Sequence, residues 1–389
     1  MDIKSKLNPN VINAPLSGIR KISELTLQMK DVVRLDLGEP DFDTPKHIKD
    51  AAVKALNEGF THYTAVPGIV ELRKAIAEKL KKENNMEYNF ETEITVTVGG
   101  IGAIFSALQT ILSPDDEVII SDPAWPAYLG VLGILNAKPI FVTLKEKNGF
   151  NIMPEEIQDK ITKKTKAIII NSPNNPTGGV MSEENLKGIA KIARENNIFI
   201  FSDESYEKLI LGDKKHISLG SLPGMRDLVI SQFTFSKTYA MTGWRVGFVS
   251  ASSEITKELR KVSLYTVTHV TSIVQKAALS ALNGPQDCVK EMVDAYRLRG
   301  DILVDGLNSI GKISCIKPQG AFYAFANISK LNMKSEDFVI KMIKEAGVSA
   351  VPGSSFGNSG EGFVRFCFAN SNENIKEAVK RINKFVKSL

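Results

Sequence analysis

Five short unbroken apolar runs, at 118–120, 167–170, 198–201, 228–230 and 246–249, constrain this chain more than any other feature. A strand with one face in water alternates apolar and polar residues, whereas an unbroken run needs cover on both faces. Helical patterns supply that cover. Leu186, Ile189, Ala190 and Ala193 recur at helical spacing between two of the runs. Ile101, Ile104, Phe105, Leu108, Ile111 and Leu112 do the same ahead of the first, opening after Gly99-Gly100. The alternation predicts an α/β fold around a buried, largely parallel sheet.

Three of the runs are followed at once by polar residues suited to chemistry: Asp122, Asn171 and Asp203. Ligands of open α/β sheets sit beyond the carboxyl ends of the strands, so these residues mark the expected site. Upstream, Thr44-Pro45 forms an N-cap and first-turn pair for a helix carrying Ile48, Ala51, Ala52, Ala55 and Leu56. From about residue 290 the pattern changes. A long helix (Leu298, Ile302, Leu303, Leu307) precedes strands around 322–325 and 364–368 and helices near 337–345 and 372–386. This reads as a smaller α+β domain, joined by the N-terminal stretch through Leu37.

A length of 389 residues suggests two to three structural units. With 43% hydrophobic and 24% charged residues, collagen-like, mucin-like and disordered readings are excluded. The net charge of +5 is spread along the chain without a basic arm or stripe, so no nucleic-acid partner is expected. No apolar run approaches the ~20 residues that span a bilayer, and Met1-Asp2-Ile3-Lys4-Ser5-Lys6 lacks the apolar core of a secretory leader. Cys288, Cys315 and Cys367 fit reduced thiols in a cytoplasmic protein, and with four scattered histidines they give no metal-ligand pattern.

Four segments carry chemistry. In Ser236-Lys237-Thr238-Tyr239-Ala240-Met241-Thr242-Gly243-Trp244-Arg245, hydroxyls flank a lysine and an arginine follows eight positions on, a set able to bind an anion. Asn171-Ser172-Pro173-Asn174-Asn175-Pro176-Thr177-Gly178-Gly179 reads as a turn, yet a turn alone does not account for three asparagines at a strand end. Ser202-Asp203-Glu204-Ser205-Tyr206 offers either a helix-capping aspartate or a buried carboxylate facing a cationic ring nitrogen. Gly99-Gly100-Ile101 is either a plain strand-to-helix turn or a phosphate cradle of backbone N–H groups.

Jointly these segments resemble the pyridoxal-phosphate (PLP) enzymes of fold type I, specifically class I aminotransferases of the aspartate aminotransferase superfamily. The resemblance covers nearly the whole chain, from Leu37-Gly38-Glu39-Pro40-Asp41-Phe42-Asp43-Thr44-Pro45 through Asn174-Asn175-Pro176-Thr177-Gly178 and Ser236-Lys237 to Gly362-Phe363-Val364-Arg365-Phe366. It implies a mainly parallel, seven-stranded-type sheet in a large domain at 45–290, with 1–44 and 291–389 forming a small domain. It also implies pyridoxal 5'-phosphate as cofactor and ping-pong exchange of an amino group between an L-amino acid and a 2-oxo acid such as 2-oxoglutarate.

The resemblance assigns roles residue by residue. Lys237 would form the Schiff base and move the proton; Asp203 would pair with the pyridine nitrogen; Tyr206 and Asn175 would bond the phenolic oxygen. Trp125 would stack on the ring, and Arg245, Ser236, Thr234 and the N–H groups of Gly100 and Ile101 would hold the phosphate. Arg365, helped by the backbone near Gly38, would clamp the substrate α-carboxylate. Tyr63 matches a tyrosine that reaches the neighbouring subunit's phosphate, which implies a homodimer with composite sites.

One departure concerns specificity. Some aspartate-specific relatives carry a lysine just after the Gly-Gly pair, and here that position is Ile101. Lys261 and His269 are the nearby candidates for a replacement, although a structural or solvent-exposed role suits His269 better. Dicarboxylate selectivity is therefore weakened in favour of apolar or aromatic donors. The same scaffold supports C–S lyases and related PLP enzymes, and a non-catalytic PLP-binding regulator is a further reading, disfavoured by the lack of an appended DNA-binding segment.

Overall fold

The apolar runs are buried on both faces, as their unbroken character requires. Val118, Ile120, Ala167, Ile169, Phe201 and Ile230 enter one hydrophobic cluster, while Ile119, Ile168, Ile170, Ile200 and Val229 enter another. The helix Gly99–Ile111 closes the first cluster with Ala103, Ile104, Ala107 and Leu108, and Glu183–Asn196 closes the second with Leu186, Ile189, Ala190 and Ala193. Truncating Ile169 or Ile170 to alanine in such packing costs roughly 2–5 kcal/mol. Ile101 departs from the helical stripe: it is 38% exposed and faces a cavity instead of the core.

The computed structural model describes residues 3–15 and 18–389, so Met1 and Asp2 of the N-terminal segment read above lie outside the described residues. Its strands, in chain order, are β1 (Val33–Arg34), β2 (Ile94–Thr97), β3 (Glu117–Asp122), β4 (Lys138–Thr143), β5 (Thr165–Asn171), β6 (Phe199–Asp203), β7 (Val229–Thr234), β8 (Gly247–Ser250), β9 (Tyr323–Asn327), β10 (Val348–Ser349), β11 (Val351–Pro352) and β12 (Phe363–Cys367). Seven of them form one sheet in the order β2-β8-β7-β6-β5-β3-β4. Neighbours from β7 to β4 are parallel, but β8 runs antiparallel to both β7 and β2. The run at 246–249 is thus a buried strand of the opposite direction, which apolar patterning alone does not distinguish.

The edge strands β2 and β4 were not anticipated. Ile94-Thr95-Val96-Thr97 is short and half polar, and Lys138-Pro139-Ile140-Phe141 carries a proline, which edge strands tolerate. A second sheet, β11-β12-β9, is antiparallel, and β1 pairs in parallel with β10. Its register, Arg365 opposite Phe325 and Cys367 opposite Tyr323, puts those four residues on one face. Phe322, Ala324, Val364 and Phe366 fill the core behind the other face.

Thr44 does not cap the helix that follows it. That helix, Lys46–Asn57, starts after Pro45 without a side-chain cap. The Thr44 hydroxyl instead donates to the Ala240 carbonyl (2.6 Å) and accepts from Trp244 Nε1 (2.9 Å), tying the N-terminal segment to the loop after Lys237. Among the described residues no helix is long and apolar enough to cross a membrane.

Candidate active site

Strand β7 ends at Thr234, whose Oγ1 accepts from Ser236 N (3.2 Å) and lies 3.0 Å from Ser236 Oγ. This cap starts the single turn Phe235–Thr238 and directs Lys237 into a cavity of about 570 Å³ at the carboxyl ends of the parallel strands. The Lys237 ammonium donates to the Gly38 carbonyl at 2.5 Å. Burial lowers Lys237 to about 8, with Arg365 and Arg245 pushing the same way against Cys367 and Glu39. A lysine amine that deprotonates near neutrality can both add to a carbonyl and carry a proton.

One end of the cavity is built for an anion. The helix Gly99–Ile111 begins there, and the first-turn N–H groups of a helix have no partners within it. Gly99 has φ +63, and a Cβ on it would come within 2.6 Å of Arg245 Nη2, so only glycine lets the guanidinium approach the helix start. Arg245, itself left-handed at φ +54, donates to the Thr242 carbonyl (2.9 Å). Gly100, Ile101, Thr234, Ser236 and Arg245 all line this space.

Asp203, the last residue of β6, is buried. Its Oδ2 accepts from the Tyr128 hydroxyl (2.5 Å) and its Oδ1 from Ser205 N (3.0 Å). No helix starts at Asp203, so the helix-capping reading fails; its carboxylate instead closes a local turn through Ser205 N and lines the cavity. Burial raises its pKa, and the bonds from Tyr128 and Ser205 oppose that rise. Trp125 lines the same wall and stands edge-on to Tyr128, with ring centroids 5.6 Å apart. Tyr206 projects beside Asp203, its hydroxyl 2.8 Å from that of Tyr323.

The three asparagines separate into different jobs. Asn174 is internal to the turn, accepting from Thr177 N and Oγ1. Asn171 receives Asn175 N on its Oδ1 (2.9 Å) and donates to the Asp203 carbonyl (3.1 Å). Asn175 presents Oδ1 to Arg365 Nη1 at 3.0 Å. Arg365 is 1% exposed; its Nη2 donates to the Asp36 carbonyl (2.8 Å), while Nε has no partner among the described residues. The Asp36 carboxylate is taken by Arg34 (2.7 Å), so a fully buried guanidinium faces the cavity paired only with neutral oxygens. Gly38 lies on the same wall.

Some expected residues lie elsewhere. Tyr63 does not line this cavity; it is 87% exposed and stands edge-on to His269 at 5.3 Å. Asp122 turns to the loop at 357–359, where its Oδ2 accepts from Ser359 N (3.1 Å). Lys261 pairs with Glu258 on its own helix, and the His269 Nδ1 lies 2.7 Å from the Val270 carbonyl, a local structural contact. Conversely, Ile19, Glu39, Tyr128, Ser205 and Tyr323 line the cavity without having been singled out. Glu204, Glu207 and His216 come together behind β6, but Ser218, Lys79 and Asn84 already donate to the two carboxylates.

Comparison with known proteins places this geometry. Residues 30–382 match the family model for aminotransferase class I and II. An aspartate aminotransferase from Pyrococcus abyssi is 43% identical over 95% of this chain and 96% of its own length. A probable N-acetyl-LL-diaminopimelate aminotransferase from Bacillus subtilis is 42% identical over 98% and 95%. The crystal structure of an aromatic aminotransferase from Pyrococcus horikoshii superposes with a TM-score of 0.90 at 41% identity, covering 94% of this chain and 99% of that one. A buried lysine amine, a helix start beside Arg245 and a buried Arg365 in one cavity thus have a family: the chain belongs to the class I and II aminotransferases and is a pyridoxal-phosphate-dependent transaminase acting on an amino acid and a 2-oxo acid.

Proposed function

We propose that this enzyme is an aspartate/aromatic-type aminotransferase using 2-oxoglutarate as amino acceptor. The observation that carries the reading is Arg365: a buried guanidinium without a carboxylate partner, across the cavity from the Lys237 amine. An isolated buried charge is costly, and a substrate α-carboxylate is the counter-ion that relieves it.

The residues present fit pyridoxal phosphate. Gly99 leaves open a cradle that a Cβ would fill, beside Arg245 and two hydroxyls, and Asp203 is a buried carboxylate whose hydrogen-bond partners include no cation. When bound, the cofactor supplies an aldehyde for the amino group and a ring that accepts the electron pair released at Cα. Gly100, Ile101, Thr234, Ser236 and Arg245 would hold its phosphate, Asp203 its ring nitrogen, Trp125 its face, and Tyr206 with Asn175 its phenolic oxygen. Arg365 fixes the α-carboxylate in two prongs, and Asn175 and the Asp36 carbonyl hold the guanidinium plane. Lys237 Nζ, with its lowered proton affinity, would take the proton from the substrate Cα and return it to the carbon on the far side of the amino nitrogen, two bonds away.

We assign 45–290 to a large domain and 1–44 with 291–389 to a small one. The confinement of the seven-stranded sheet to the first span and of the other two sheets to the second supports this. We also infer a cytoplasmic homodimer in which Tyr63 serves the partner's phosphate. Three free cysteines and the outward projection of Tyr63 support that reading. The test is a donor screen with 2-oxoglutarate, scoring glutamate formation against ammonia release. Glutamate from aspartate or an aromatic donor is expected; ammonia instead would mean a lyase.

A further inference from the structure

Tyr323 stands between two groups on which the proposed reaction depends. Its hydroxyl is 2.8 Å from that of Tyr206, and its ring centroid is 4.4 Å from Arg365 Cζ. The pairing of β9 with β12 dictates this, because Tyr323 and Arg365 share the sheet face that meets the cavity. A Cβ on Gly38 would sit 2.7 Å from the Tyr323 oxygen, so the glycine leaves room for the phenol. The side chains of Tyr206, Tyr323 and Arg365 are all buried.

Two phenols sharing one hydrogen bond have two possible polarities. If Tyr206 donates to Tyr323, its proton is spent within the wall. If Tyr323 donates, the Tyr206 proton remains for whatever fills the cavity. The guanidinium lying on the Tyr323 ring selects between them, since a cation on the ring face draws electron density from the phenol and makes it the better donor. Burial raises the Tyr323 hydroxyl, and the Arg365 charge is the leading influence opposing that rise.

We infer that Tyr323 is a positioning residue: it donates to Tyr206 and so directs the Tyr206 proton toward the cofactor's phenolic oxygen. This rests on the assignments of Tyr206 and Arg365 proposed above. Hydrogen bonds in series polarise one another, so the donation also strengthens the one that Tyr206 makes.

The test is a pH titration of the bound cofactor's absorbance, without substrate, in the parent holoenzyme, Tyr206→Phe, Tyr323→Phe and the double variant. A donor at the phenolic oxygen favours the deprotonated form of the chromophore, so losing it raises the midpoint. Tyr206→Phe should raise proton affinity about tenfold, and Tyr323→Phe roughly two- to fivefold in the same direction. The double variant should not exceed Tyr206→Phe, because one chain of bonds is being cut twice. Tyr323→Phe keeps the ring over Arg365, so the loss should fall on kcat with KM for the amino acid nearly unchanged. A Tyr323→Phe midpoint that falls would make Tyr206 the donor and overturn the inference; so would an unmoved midpoint or strict additivity. An unmoved midpoint in Tyr206→Phe would instead overturn the assignment of Tyr206, and the inference with it.

Discussion

The Tyr128 hydroxyl donates to Asp203 Oδ2 across 2.5 Å, with both groups only 2% exposed. Burial pushes this carboxyl toward its neutral form, while Tyr128 and the Ser205 backbone pull it back toward the anion. A cation placed beside it, such as a protonated pyridine nitrogen, would complete that pull. Asp203→Asn keeps the shape and removes the charge. Turnover should fall ~10²–10⁴-fold with cofactor still bound, in the range of lost electrostatic partners elsewhere. A loss below about tenfold, in steady-state assays with cofactor content checked by absorbance, would remove Asp203 from the mechanism.

Lys237 gives the sharpest chemical prediction. Lys237→Ala should abolish transamination while circular dichroism remains that of the folded protein. Turnover at the parent rate would show that another amine does the work.

The same lysine makes a stability prediction for the cofactor-free protein. Its folded pKa is about 8 against an ordinary 10.5, so between those values the unfolded chain binds more protons at this site than the folded one. Stability then rises with pH across that window and is lowest below it, where the buried amine must carry charge. The penalty at pH 7 is about 3 kcal/mol. Lys237→Met, which keeps the stem and drops the charge, should melt above the parent at pH 7, and the gap should close as pH approaches 10.5. A gap independent of pH would mean that packing, not ionisation, separates the two.

Tyr63 tests the assembly. A Lys237→Ala chain mixed with a Tyr63→Phe chain yields hybrid dimers. If Tyr63 acts across the interface, one hybrid site carries both defects and the other carries neither. Activity per Lys237-bearing chain should then exceed that of the Tyr63→Phe parent. Hybrid dimers with no such gain would confine Tyr63 to its own subunit or to no catalytic role.

The sheet was legible because burial on both faces leaves a mark in every residue of a strand, as in Ala167-Ile168-Ile169-Ile170. The edge strand with Pro139 left no such mark, and strand direction at 246–249 leaves none at all. In the site, Asp203 and Arg365 stood out because charge in an apolar context is rare, and Lys237 because hydroxyls flank it and an arginine follows eight positions on. Tyr128 and Tyr323 did not, since a tyrosine in a hydrophobic segment looks like core until its hydroxyl partner, 75 or 117 residues away, is in place. Asp122 misled for the converse reason: it ends a central strand, yet a loop from the distant 357–359 segment claims its carboxylate.

Donor specificity is predicted from Ile101, which lies in the first turn of the helix Gly99–Ile111, 38% exposed on the cavity wall rather than in the core. An unpaired carboxylate against such a wall costs several kcal/mol, and the nearest sequence candidate for a cation, Lys261, is held by Glu258 outside the cavity. Ile19 and Leu37 extend the apolar surface. In the proposed reading Arg365 is already assigned to the α-carboxylate. Aromatic and apolar donors should therefore be used comparably to aspartate. Ile101→Lys should raise kcat/KM for aspartate relative to phenylalanine about tenfold or more, the effect of ~1.4 kcal/mol of new ion pairing. The deciding measurement is kcat/KM for aspartate, phenylalanine, tyrosine, methionine and alanine with 2-oxoglutarate. Should aspartate lead every other donor about a hundredfold in the parent enzyme, a cation from outside this wall, such as one carried by a partner subunit, must be selecting the side-chain carboxylate.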